Sequence, residues 1–264
     1  LNAICRYLTK FATASLYSVT DVRNFIKLKN ESGLNMSKQM SESFPVGVLL
    51  AISGGLMDAY SYLYRGHVFA NAQTGNVLMF SIHLSKGEWM SSLHYALPII
   101  AFLSGVALST CICHFCKQRE LLHWRQICVL FEAVIFLIVA VFSQEMNLPA
   151  NCLISLACGI QVETFRRVEN ENVATTMCIG NMRSAMHSAI MYGLVNNHEY
   201  KHSTFISFSI VLSFAFGAIM GSILIRYFGA FSISFGSAIM LVCFFLMFVT
   251  PSDKRNNHIN NMHN

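Results

Sequence analysis

Five ionisable residues stand within or at the edge of long apolar runs: Asp58, Glu132, Glu163, Arg183 and Arg226. A charge at mid-bilayer costs about 2.5 to 3.5 kcal/mol on insertion scales, so such residues turn towards a bundle interior or a water-filled cavity. Helical spacing gathers Thr176, Gly180, Arg183 and His187 onto one stripe at i, i+4, i+7 and i+11, next to Asn181. An earlier stretch carries Asn71, Thr74, Gly75 and Leu78 on the corresponding face, next to Asn76. Both stripes are expected to look inward. Asp58 and Glu163 then read as proton or cation ligands and Arg183 as an anion partner, in a small-solute or ion site. The competing reading makes the acids structural ties to Arg183 or Arg226. In it, Gly54, Gly55, Gly75, Gly105, Gly180 and Gly217 let helices approach closely. Residue types and spacing leave both readings open.

Other chemistry finds less support. Cys111, Cys113, His114 and Cys116 form one cluster whose i, i+3 pairs could share a soft metal, but no second ligand pair stands at zinc-finger spacing. Packing is the expected role of these thiols, and no metal or cofactor is expected. There is no Gly-x-Ser-x-Gly elbow, no His-Glu-x-x-His helix and no phosphate loop, so no catalytic residue is assigned. His83 reads as a wet interfacial histidine, and Trp89 and Trp124 as interfacial anchors.

The elements that must position these residues are apolar helices. The 264 residues are 54% hydrophobic and 12% charged, with a mean hydropathy of +0.50. That is about half the charge of a soluble domain. A span needs about 20 apolar residues. The clearest runs are 45–64, 93–113, 127–142, 148–165, 205–225 and 231–249, with weaker ones at 68–84 and 173–194. The reading is an all-α polytopic bundle of six to eight spans. Lys and Arg lie mainly between runs, not in a stripe with interleaved aromatics, so the partner is a lipid bilayer and not nucleic acid.

The chain also repeats. At a constant offset of 105 residues, Gly54 falls on Gly159, Asp58 on Glu163, Val68 on Val173, Gly75 on Gly180 and Asn76 on Asn181. Two sequence-related halves result, at about 45–142 and 148–249. The stretch GGLMDAYSYLYRGHVFANAQTGNVLMF, with Gly54, Asp58, Ala59, Phe69, Thr74, Gly75 and Asn76, resembles the signature of the YoaK-like bacterial membrane proteins. In the second half Thr175 and Thr176 match its Thr pair, whereas Ile179 stands where a Thr is expected. The resemblance implies a multi-pass membrane fold and supplies no substrate.

Orientation follows from charge. If the weak stretches are re-entrant, six spans remain, the halves are inverted, and Lys117, Arg119, Arg125, Arg166 and Arg167 share the cytoplasmic side with both termini. Eight complete spans would place those five outside, so the charges favour inversion in a bacterial inner membrane. Residues 1–43 are polar and read as a disordered cytoplasmic extension, with Met36 and Met40 as alternative starts. Residues 44–250 form the transmembrane domain, and 251–264 a disordered tail.

Overall fold

The computed structural model describes residues 40–116 and 123–248. The tail, most of the polar extension, and Lys117 and Arg119 lie outside the described residues. The helices are α1 (Phe44–Tyr64), α2 (Gln73–Ser85), α3 (Trp89–Cys116), α4 (Trp124–Ala140), α5 (Asn147–Thr164), α6 (Cys178–Val195), α7 (His198–Phe228) and α8 (Ser234–Leu246). A two-residue strand pair, β1 (Arg167–Val168) and β2 (Glu171–Asn172), is the one departure from the expected all-helical chain among the described residues.

Three helical stretches are long and apolar enough to cross a membrane: Phe44–Tyr64, Trp89–Cys116 and the run His198–Leu246 that contains α7 and α8. Large apolar side chains such as Leu103, Leu212, Phe216, Ile219 and Phe245 are more than half exposed. An apolar surface of that extent calls for lipid rather than water.

α1 packs on α7 and α3 packs on α5, while α4 lies against α5 and α8. Glycine sets both close contacts. A Cβ on Gly55 would stand 2.0 Å from the Phe214 carbonyl, and one on Gly217 2.0 Å from the Ile52 carbonyl. Gly105 and Gly159 repeat this against the carbonyls of Leu156 and Phe102, at 2.1 Å each. Backbones touch at these two crossings because no side chain intervenes. The remaining core is apolar, with Leu50, Met57, Val129, Phe136, Ile154 and Met240 buried together.

Neither weak stretch is helical from its start. The chain is a loop from Arg65 to Ala72, and α2 spans 13 residues, about 20 Å at ~1.5 Å per residue. That is shorter than the helix expected over 68–84. In the second half the strand pair and a turn at Thr175 and Thr176 precede α6. Glu169 and Asn170 take positive φ at the tip of the strand pair, which suits a tight primed turn. Glu169 then accepts the Phe44 N–H at 3.2 Å, placing an acid at the start of α1.

Arg65 ties the far end of α1 to α4 and is fully buried. Its guanidinium donates to the carbonyls of Ser143 (2.7 Å), Phe142 (2.9 Å) and Val139 (3.1 Å), to Asn147 Oδ1 (3.4 Å), and twice to the Tyr60 hydroxyl (2.7 and 3.0 Å). The Asn151 amide closes the knot on the Arg65 carbonyl at 2.7 Å. A cation over the last carbonyls of α4 also meets the negative end of that helix.

Two predictions follow from this packing. Gly55→Ala and Gly105→Ala drive a methyl into a facing backbone and abolish monodisperse protein in size-exclusion chromatography. Gly180→Ala meets nothing within 4 Å, and leaves the profile intact. Arg65→Met removes the buried cation that bridges the Val139, Phe142 and Ser143 carbonyls and lowers detergent-phase stability by about 3 to 5 kcal/mol. Arg65→Lys recovers less than half of that, since an ammonium cannot reproduce the fork; thermal unfolding of the purified variants reads both.

Candidate functional site

The polar residues of this chain converge where the loop before α2 and the segment before α6 reach α1 and α5. Asn71 is buried, donates from Nδ2 to the Gly54 carbonyl at 2.8 Å, and accepts the Cys158 thiol at its Oδ1. Thr176 lies against the same two residues. Its methyl would stand 3.3 Å from a Cβ on Gly54, and its side chain neighbours Cys158. Gln161 Nε2 donates to the Leu50 carbonyl (3.0 Å) and to Thr175 Oγ1 (3.2 Å). At the repeat offset Asn71 corresponds to Thr176 and Ser53 to Cys158, so one residue pair from each half meets here.

Three buried oxygens in this region have no hydrogen-bond partner among the described residues: Ser53 Oγ, Gln161 Oε1 and Thr176 Oγ1. A buried polar atom left unpaired costs about 1 to 3 kcal/mol. These atoms are therefore the acceptors that a solute or ordered water would use.

Asp58 sits beside the centre with its Oδ1 accepting the Asn71 N–H at 2.7 Å, and the backbone N–H groups of Ala70 and Ala72 also turn towards it. An anion at the N-terminus of α2 satisfies donors that the helix cannot. Asn76 and Asn181 perform one task twice. Asn76 closes a ring on Phe69, accepting its N–H at 3.0 Å and donating to its carbonyl at 2.7 Å. Asn181 does the same to Ala174, at 3.3 and 2.7 Å. Each amide side chain holds the residue seven positions earlier, which is how a non-helical segment keeps its polar groups satisfied.

The other candidates lie elsewhere. Thr74, Leu78, Gly180, Arg183 and His187 are exposed, and Gly75 lies under the Phe69 ring. The two stripes therefore do not look inward as expected. Buried Asn181, Ala185 and Ser188 define the inner face of α6, because Asn181 turns back to its clasp and fixes the rotation of the helix. Arg226 is exposed as well. The pairing of the acids with Arg183 or Arg226 is absent among the described residues: Glu163 pairs with Arg166 and accepts Thr110 Oγ1 at 3.4 Å.

Glu163 and Arg166 border a cavity of about 650 Å³ that is also lined by Ser109, Cys113, His114, Trp124, Arg125 and Thr164. Arg125 bonds Ser41 Oγ (2.6 Å) and Glu42 Oε1 (2.7 Å) at its rim. Burial, with Arg125 nearby, holds His123 below the usual imidazole range. A neutral ring suits its role at the start of α4, where Nδ1 accepts the Arg125 N–H at 3.4 Å. Residue types alone did not single out Arg65, Ser53, Cys158 or Gln161. The repeat offset carries a signal for Ser53 and Cys158, while Arg65 has no counterpart in the second half and Gln161 answers to apolar Leu56.

No solved structure matches this chain. A curated relative, the UPF0700 transmembrane protein YoaK of Bacillus subtilis (strain 168), is 25% identical over 145 residues, which is 52% of this chain and 63% of that protein. The match thus spans less than two thirds of the relative's length. The model of a protein family described as protein of unknown function (DUF1275) matches residues 46–247. With most of its length covered, the chain belongs to the DUF1275 family of YoaK-like transmembrane proteins.

Proposed function

We propose that this protein carries a small polar solute or ion across a bacterial inner membrane, using two inverted halves whose re-entrant segments meet at a shared site. The observation that carries this reading is that Asn71 and Thr176, one from each segment, both lie against Gly54 and Cys158. Transporters of inverted-repeat type bind substrate at such a repeat interface, where broken helices present free polar groups.

Contacts at the two ends support inversion. Gly66 after α1 accepts a bond from His94 near the start of α3, at 3.4 Å, so the chain enters and leaves α2 from one end. In the second half Glu171 meets Ser203 at 3.1 Å, and Phe205 stacks on Phe44 at 5.6 Å, so the segment before α6 enters from the opposite end and α6 returns to it. On this reading α1, α3, α4, α5, α7 and α8 make six crossings within a domain of about 44–250, and α2 and α6 are half-crossings. Arg125, Arg166 and Arg167 share the end of residues 41–44, and the bias of basic residues makes that end cytoplasmic. The 650 Å³ cavity opens there beneath Glu163, while at the opposite end a Cβ on Gly221 would lie 3.1 Å from Ala59 and Arg65 knots the helices. One open and one closed end is the form of a carrier in one of its two states.

Asp58, Asn71, Thr176 and Glu163 are the proposed site residues, with Asn76 and Asn181 holding the segments in place. Thr74, Gly75, Gly180 and Arg183 are not part of it. A second reading, a scaffold or sensor subunit, draws on Asp58, whose partners are mainly the backbone N–H groups of residues 70 to 72.

Reporters fused after Lys86, Lys117 and Glu145 test the topology. Lys117 cytoplasmic with Lys86 and Glu145 periplasmic is expected, and a reporter ahead of α1 that falls on the same side as Lys86 overturns inversion. For the activity, Asp58→Asn and Asn71→Ala are expected to alter the uptake profile of cells while the purified variants remain folded. Unchanged uptake in both, with a protein retained on the wild type and lost from Asp58→Asn, would favour the scaffold.

A further inference from the structure

The transporter reading leaves unused a fully buried acid in the middle of α4. Glu132 is fully buried, and neither of its carboxylate oxygens has a hydrogen-bond partner among the described residues. α4 runs antiparallel to α5, with Cys128 beside Thr164 at one end and Val139 joined through Arg65 to Asn147 at the other. Glu132 therefore lies level with the middle of α5, near Cys158. The titratable groups within its electrostatic reach are the thiols Cys128 on its own helix, Cys158 on α5 and Cys243 on α8. No charged group of α1, α5 or α8 acts on it among the described residues.

Polar groups connect this acid in two directions. Cys128, one turn before Glu132, lies beside the hydroxyls of Ser109 and Thr164, which bond each other at 2.9 Å and line the 650 Å³ cavity. On the other side Cys158 lies between Glu132 and Asp58, joined to Asn71, whose N–H meets Asp58.

We infer that Glu132 is an intramembrane proton-binding site, loaded from the cavity through Ser109, Thr164 and Cys128, and the coupling site of the transporter proposed above. A metal ion does not fit. One carboxylate offers two oxygens, where Ca²⁺ takes about six to eight and Mg²⁺ about six, and the described residues hold no cluster of metal-binding side chains. A proton needs a single lone pair. Hydronium reaching the cavity gives up a proton and becomes water, and the new O–H bond forms on a Glu132 oxygen, neutralising a carboxylate that apolar surroundings cannot stabilise. Release runs the same steps backwards.

Infrared spectroscopy of the protein reconstituted in lipid tests this, with protons and deuterons as the only probes. At neutral pH the wild type should show the carbonyl stretch of a protonated carboxylic acid. That band should be lost in Glu132→Gln and kept in Asp58→Asn. On transfer to D₂O the band should shift, and Thr164→Val with Ser109→Ala should slow the shift severalfold without removing the band. A wild type lacking the band, a band surviving in Glu132→Gln, or an exchange rate untouched by the hydroxyl variants overturns the proposal. Should Glu132→Gln fail to fold, the wild-type band and the hydroxyl variants still decide it. The transporter reading fails separately, through the uptake of the Asp58 and Asn71 variants, whatever the infrared result.

Discussion

A backbone that leaves the helix inside a bundle must find its hydrogen bonds within the protein, and this fold is arranged around that requirement. Two segments leave the helix, 65–72 and 165–177. Asn76 and Asn181 each close a two-point ring on one of them, and Asp58 accepts further backbone donors in the first. Without these clasps the donors and carbonyls of both segments would lie unpaired among apolar side chains, at about 1 to 3 kcal/mol each. The clasps also bring Asn71 and Thr176 to the middle of the bundle, so the device that stabilises the segments also builds the candidate site.

Helix packing answers to the same constraint. Glycines at two crossings allow α1 to meet α7 and α3 to meet α5 at backbone contact, which joins the first helix of each half to the third helix of the other. These contacts hold each helix pair together with no side chain between the backbones. Arg65 adds a tie of a different kind, spreading one buried cation over three carbonyls, an amide oxygen and a phenol. Each arrangement removes freedom where the chain would otherwise expose polar backbone.

The two acids matched by the repeat have diverged in use. Asp58 is bound to backbone donors next to the centre, whereas Glu163 reaches Arg166 and Thr110 at the rim of a cavity. Glu132, which belongs to neither copy of the motif, is buried with no hydrogen-bond partner among the described residues. Under the proposed reading this asymmetry separates the tasks: one carboxylate shapes a site, one borders an entrance, and one holds a proton.

Composition and hydrophobic run length were enough to determine a helical membrane protein, because crossing hydrocarbon imposes a minimum apolar length that survives in any tertiary context. The family signature and the acid-for-acid match at a fixed offset were equally legible, since both are properties of residue order. Helical phase was not. Arg183, Gly180 and Thr74 fall on polar stripes by spacing, yet they are exposed, because the clasps of Asn76 and Asn181 set where each helix begins and how it is rotated. Arg65 and Glu132 illustrate the remaining gap. One buried ionisable group is surrounded by acceptors and the other has no hydrogen-bond partner among the described residues, and that difference depends on which carbonyls and hydroxyls the neighbouring helices bring within about 3 Å, which only the tertiary structure decides.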